Sequence, residues 1–302
     1  MHRRQVLDYL ALAVIWGLSF VLVLQVVRAF GWAGGVSFRA LVAAGLLVLL
    51  ARVTRRELRF GSWRPLAVVG STTVAGNLIG LNIATPRIGT AMAAIFIATI
   101  PFFSMIIGLL WRIERIDFWG RVGVALGFVG VVLLVGFPAV PVDGSFVIGC
   151  VASVLGAISA AFGSNYARKH LQQVGSWEQT IGAFLTGGLI VLPLLVVVPV
   201  PRFPTALDLG YLVVLAAFCS ALAYVLYFRL VAEVGATIAV SVEFLVTVVA
   251  VVVGAVFLGE RLSALQVVGG VVIIAGCALV LGLLPARRGR EVEPFTGEEA
   301  AL

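Results

Sequence analysis

The sequence predicts an all-α integral membrane protein of ten transmembrane helices, arranged as two inverted five-helix repeats. Hydrophobic residues make up 62% of the 302-residue chain and charged residues 12%. No water-soluble surface sustains that balance, so lipid must solvate most of the chain. Apolar runs long enough to cross roughly 30 Å of hydrocarbon as helix occur ten times. Residues 87–136 then recur at 233–282, displaced by 146 positions without a gap, with ten of the fifty aligned positions identical and five of those glycine pairs. Hydrophobic bias repeats leucine and valine, not glycines around a Glu-Arg pair, so the echo is a duplication.

The ten runs lie at 6–27, 34–52, 65–85, 88–111, 118–137, 145–167, 178–198, 207–228, 236–258 and 264–284. None alternates as a barrel strand would, which leaves helices as the only way to satisfy the backbone in lipid. The first run follows His2, Arg3 and Arg4. That pattern also fits a secretory signal peptide with a small-x-small site at Ala29-Phe30-Gly31, but cleavage there would leave nine helices and spoil the five-plus-five arrangement. The second run carries Arg39 about five residues in. This arginine either snorkels to the surface as an anchor or contacts a substrate carboxylate. The third carries Thr72, Thr73, Asn77 and Asn82, amide and hydroxyl groups that serve a bound solute or another helix.

Pro101, in the fourth run, cannot donate to the carbonyl of Ile97 and should bend that helix near its middle. Glu114-Arg115 follow it, and the fifth run opens with Gly123-x-x-x-Gly127, a spacing for close helix packing. Pro138, Pro141, Asp143 and Gly144 mark a linker, 138–144, between a first repeat, 1–137, and a second, 145–284. In the sixth run Gly149, Gly156 and Gly163 recur every seven residues and bare one face. The eighth run supplies Ser220, Tyr224 and Tyr227; the ninth supplies Glu243, about seven residues in, and Thr247; Glu260-Arg261 precede the tenth. Residues 285–302 turn from Arg287, Arg288 and Arg290 to four glutamates and read as a disordered tail.

An offset containing five spans makes the second copy enter the membrane from the opposite side. Inverted halves of this kind underlie alternating access in secondary transporters, because exchanging their conformations converts an inward-open state to an outward-open one. Placing both termini in the cytoplasm puts sixteen of the basic residues inside and four outside, the asymmetry expected of a cytoplasmic membrane. Twenty arginines against one lysine point to a GC-rich bacterial source and hence to a bacterial inner membrane. The net charge of +7 is accounted for by that topology rather than by nucleic acid. Cys150, Cys219 and Cys277 are scattered, and the histidines lie in cytoplasmic segments; neither a metal site, a disulfide framework nor a phosphate-binding loop is visible, so no cofactor is expected.

Glu243 is the sharpest candidate. An ionisable group at that depth persists where it faces an aqueous cavity, where it can exchange a proton or meet a cation, or where it has a structural partner such as a hydroxyl or Arg39. A cavity formed by helices 1, 3, 4, 6, 8 and 9 would be lined by Asn77, Tyr224, Glu243, Asn82, Tyr227 and Trp16, with Gln25, Ser104, Asn165 and Tyr166 as weaker candidates. The expected partners are a small-molecule substrate, protons as the coupling ion at Glu243, and the bilayer. The chain would act as a monomer or homodimer.

Trp16-Gly17, Phe38-Arg39-Ala40, Ile100-Pro101-Phe102 leading through Gly108 to Glu114-Arg115, and Gly259-Glu260-Arg261-Leu262 together resemble the EamA-type family of the drug/metabolite transporter superfamily. The resemblance covers about residues 8–284. It implies an exporter of small metabolites such as amino acids, and it gives Arg39, Pro101, Glu114, Arg115, Glu260 and Arg261 structural or hinge roles. Multidrug or organic-cation export, with Glu243 as counter-charge, and flipping of lipid-linked substrates are the alternatives. A membrane enzyme would need converging titratable groups, and the spans offer only Glu243 and Arg39. The chain departs from the family at Val246-Thr247, where relatives often carry Glu-Pro. Thr247 keeps its amide and can back-bond to the carbonyl of Glu243, so the two halves should bend differently.

Overall fold

A computed structural model describes residues 3–111, 118–136, 143–234, 239–257, 259 and 263–280. Its helices are α1 Arg3–Val53, α2 Trp63–Ile88, α3 Thr90–Leu110, α4 Phe118–Gly136, α5 Gly144–His170, α6 Ser176–Val196, α7 Ala206–Glu233, α8 Val242–Phe257 and α9 Ala264–Val280. Among the described residues there is no strand. Six helices, α1, α2, α3, α5, α6 and α7, are long and apolar enough to cross a membrane, and α4, α8 and α9 carry shorter apolar stretches. Large apolar side chains cover the outside, with Leu110 73% and Phe128 64% exposed. Water does not tolerate such a surface and lipid does. Glu114, Arg115, Glu260 and Arg261, most of the 138–144 segment and the 285–302 tail lie outside the described residues.

Helix α1 counts 51 residues but is broken at Gly31, whose φ of 71° and ψ of 174° suit a residue without a Cβ. The break reverses the chain. Trp16 and Arg39 would stand ~35 Å apart along a straight helix, yet both donate to the carbonyl of Cys219. The apolar runs 6–27 and 34–52 are thus the two legs of α1. Helix α5 starts at Gly144 because the Asp143 carboxylate caps it, accepting from the amide of Phe146 at 2.7 Å.

Small residues set how closely the helices approach. A Cβ on Gly80 of α2 would lie 2.8 Å from the Cα of Gly156 in α5, and one on Gly276 of α9 would lie 2.7 Å from the carbonyl of Gly123 in α4. These distances are backbone-to-backbone contacts, which only glycine permits. The same contacts account for the Gly149, Gly156 and Gly163 stripe, which lies against α2. Helix α2 also packs on α5 while α7 packs on α1, and α3 packs on both α5 and α8.

Two helices contain π-helical turns, Gly70–Gly76 in α2 and Leu215–Leu222 in α7. Such turns free carbonyls from the i→i−4 ladder, and neighbouring helices capture them. Ser159 of α5 donates to the carbonyl of Thr72 at 3.0 Å. The carbonyl of Cys219 receives the Trp16 indole at 3.1 Å and Arg39 Nη2 at 3.3 Å.

Pro101 interrupts α3 as its missing amide requires. The helix ends at Ile97 and restarts at Ile100, with a tightened bond from the Thr99 amide to the Phe96 carbonyl at 3.0 Å. In the second half, Thr247 back-bonds to the carbonyl of Glu243 at 2.7 Å and reaches the carbonyl of Ala94 at 2.9 Å, and α8 runs through it unbroken. The expectation of an uninterrupted helix over 236–258 is nevertheless corrected. The chain turns at Ser241, whose carbonyl takes the Phe244 amide at 3.1 Å, and α8 begins afresh at Val242. Glu243 therefore sits in the first turn of a helix, not two turns into one.

Candidate functional site

The π-turn of α2, the Pro101 break and the turn at Ser241 meet at one small cavity. It is lined by Trp16 of α1, Thr73 and Asn77 of α2, Ile100 of α3, Ala160 and Ser164 of α5, Tyr224 and Tyr227 of α7, and Val240 and Glu243 at the start of α8. Four of the helices contribute where their geometry is irregular or their side chains small. Thr73 lies in a π-turn, Ile100 at the proline break, Ala160 on the small-residue face, and Val240 and Glu243 flank the turn at Ser241. About 20 Å3 of this space is open to the centre of a water molecule, enough for a water or two and too little for a metabolite.

Three rings wall the cavity on one side. Trp16 packs edge-on against Tyr224 with centroids 5.3 Å apart and tilts onto Tyr227 at 5.5 Å. Phe184 of α6 backs Tyr224 at 4.8 Å. The polar ends of these rings are held. The Tyr227 hydroxyl donates to Ser164 Oγ at 2.8 Å, and Ser164 passes its own proton to the carbonyl of Ala160 at 2.7 Å. Asn77 lies beside the Tyr224 hydroxyl, while the buried Thr73 hydroxyl has no partner.

Glu243 is half-buried, and Tyr9, Tyr224 and Tyr227 lie within electrostatic range of it. Among the described residues no cation pairs with it. Five of the six solute-binding candidates, Trp16, Asn77, Tyr224, Tyr227 and Glu243, thus line one space. Asn82 does not. It is buried elsewhere, and its amide donates to the carbonyl of Trp32 at 3.2 Å, bracing the chain beside the Gly31 break. Asn165 and Ser104 bond to each other, Nδ2 to Oγ at 2.7 Å, and tie α5 to α3.

Arg39 is 3% exposed, which overturns the snorkelling reading. Its Nε donates to Ser220 Oγ at 2.5 Å and its Nη2 to the Cys219 carbonyl, so the guanidinium is turned inward onto the π-turn of α7. The alternative that it pairs with Glu243 also fails, because the two form no ion pair.

Several neighbours of the site escaped the sequence reading. Ser164 adjoins the Gly163 stripe and was hidden by it. Tyr9 stands seven residues before Trp16, hence on the same helix face, and its hydroxyl meets Ser241 Oγ at 3.0 Å. Asp8 forms an ion pair with Arg229 of α7, and Gln5 donates to Glu233 at 3.1 Å. These three bridges tie the first turns of α1 to α7 and to the turn before α8. Buried Leu12 and Ala13 separate them from Trp16 along that face.

The profile of the EamA-like transporter family matches residues 6–136 and again 147–282. The chain belongs to the EamA-like transporter family. It is 29% identical over 311 residues to the uncharacterized inner membrane transporter YedA of Escherichia coli K12, covering 95% of this chain and 96% of YedA. Protein PecM of Dickeya dadantii is 26% identical, with 95% and 96% covered. A probable terminal-alkyne amino-acid exporter of Streptantibioticus cattleyicolor is 28% identical, with 88% and 90% covered. A crystal structure at 16% identity superposes with a TM-score of 0.66 over 94% of this chain and 98% of its own, which speaks to the fold alone. This EamA-like chain is accordingly a membrane transporter and not an enzyme, and its inner-membrane relatives agree with its apolar helices.

Proposed function

We propose that this EamA-like protein is a secondary active exporter of small metabolites such as amino acids. It works by alternating access between two inverted five-helix halves, with both termini in the cytoplasm and Glu243 as the group that couples transport to protons. The observation that carries this reading is the cavity. It is lined by equivalent helices of the two halves, through Trp16, Asn77 and Ile100 from the first and Ser164, Tyr224 and Glu243 from the second.

Further support comes from the repeat itself. The π-turn Gly70–Gly76, displaced by 146 residues, falls on 216–222, and α7 carries its π-turn at Leu215–Leu222. The packing of α2 on α5 is matched by that of α7 on α1, as exchange of halves about an axis in the membrane plane requires.

An anion in the membrane interior is stable when a proton or a cationic solute neutralises it. Because no cation among the described residues does so at Glu243, the role falls to one of these. Proteoliposomes containing the Glu243→Gln variant test the coupling. Transport should lose its dependence on a pH gradient, and an unchanged pH dependence would remove Glu243 from that role. The aromatic wall of Trp16, Tyr224 and Tyr227 beside an unpaired carboxylate also favours a second reading, an exporter of organic cations. Competition between a cationic dye and neutral amino acids separates the two.

A further inference from the structure

Seven acidic residues fall among the described ones, and six of them accept a hydrogen bond: Asp8, Glu57, Asp143, Glu178, Asp208 and Glu233. Glu243 has no such cationic or amide donor. The buried cation Arg39 is in the mirror-image situation. Its two bonds go to neutral oxygens, the Ser220 hydroxyl and the Cys219 carbonyl, and its Nη1 has no partner at all. A guanidinium held only by neutral acceptors keeps its full charge uncompensated in a low-dielectric interior.

The two charges adjoin the same aromatic cluster. Arg39 Nη2 and the Trp16 indole share the Cys219 carbonyl, so the guanidinium stands directly behind Trp16, within the length of two hydrogen bonds. Glu243 lies on the cavity side with Trp16. Tyr224, which packs on Trp16, is within electrostatic range of both charges. Opposite charges that do not touch in this closed arrangement are both satisfied by one solute carrying a cation and an anion a few bonds apart.

We propose that Arg39 is an anion subsite, holding the carboxylate of a zwitterionic solute whose ammonium end is held at Glu243. This rests on the transporter reading and narrows its cargo to zwitterions. Opening of the cavity beside Trp16 brings the free Nη1 to the solute, while Nε and Nη2 remain on the α7 π-turn and hold the fork in position.

The test uses the purified full-length chain and two probe sets, the standard L-amino acids and the same amino acids as α-carboxamides. The amides keep the ammonium group and lose the carboxylate charge. Thermal stabilisation against probe concentration gives an apparent affinity for each. At least one free amino acid should stabilise the protein, and its amide should need about ten times the concentration or more, as loss of a charged hydrogen bond implies. Arg39→Gln should bring that ratio close to one, and Arg39→Lys should retain part of it.

An amide that binds as well as its acid, or an Arg39→Gln variant that keeps the ratio, overturns the subsite. Stabilisation by neither set overturns the zwitterion assignment. In each case the exporter reading is tested separately, by transport in proteoliposomes of the unaltered protein, and its coupling by Glu243→Gln. If Arg39→Gln does not fold, the acid-to-amide ratio of the unaltered protein decides alone.

Discussion

Neutralising Asp8 should open the cavity to the face on which α1 begins. The Asp8–Arg229 ion pair joins the first turns of α1 to the last turns of α7, and its side chains retain only 13% and 25% of their exposure. A pair so sheltered is worth more than the 0–1 kcal/mol of an exposed one and less than the 3–5 kcal/mol lost on breaking a fully buried one. About 1–2 kcal/mol is therefore reasonable. The loss is sharpened because Arg229 Nε is already buried without a partner, so Asp8→Asn leaves the guanidinium with neutral company.

If the pair is made only in the closed form, that energy multiplies the open population by about 5- to 30-fold. The assay places a single cysteine at Ala160, a small buried residue of the cavity wall, in a background with Cys150, Cys219 and Cys277 replaced by alanine. A membrane-impermeant maleimide is then applied to inside-out vesicles and to right-side-out cells. Asp8→Asn should accelerate labelling several-fold from the side on which α1 begins and not from the other, and the Asp8→Arg, Arg229→Asp exchange should restore the slow rate. Equal labelling with and without the charge, or acceleration from both sides that the exchange does not reverse, would refute the latch.

Gly80→Leu should lower the melting temperature by the equivalent of about 1–3 kcal/mol of overpacking, because its new Cβ would meet the backbone of Ala152 and Gly156. Gly45→Ala, where a Cβ meets nothing within 4 Å, serves as the neutral control in the same thermal scan. Thr247→Val removes a hydroxyl that reaches the carbonyls of Glu243 and Ala94 and should cost about 1 kcal/mol; an unchanged melting temperature would mean those contacts contribute nothing. Asn82→Leu should lower stability while leaving the apparent affinity for any stabilising solute intact, since its amide braces Trp32 outside the cavity. A selective loss of affinity in that variant would return Asn82 to the binding site.

The sequence alone points to Trp16, Asn77, Tyr224, Tyr227 and Glu243 because a polar or aromatic group is conspicuous in an apolar helix, where each such group carries a cost. That logic finds the residues and not their partners. Asn77 and Asn82 are five positions apart on α2 and chemically identical, yet one faces the cavity and the other the carbonyl of Trp32. Arg39 looked able to reach the surface by counting residues from the membrane edge. The π-turn of α7 decided otherwise by exposing a carbonyl and a hydroxyl toward the interior. No residue type announces a π-turn, so neither its place nor its pull on Trp16 and Arg39 was legible.

Hydropathy, the 146-residue echo and the Pro101 break belong to the sequence by itself. They depend on local properties: transfer of side chains into lipid, the missing amide of proline and the identity of paired glycines. What only the tertiary structure decided is which charges remain unpaired. Glu243 and Arg39 could each have met an opposite charge, and among the described residues neither does. Pairing is a property of distance between helices, and distance is set by where Gly31, Ser241 and the two π-turns redirect the backbone.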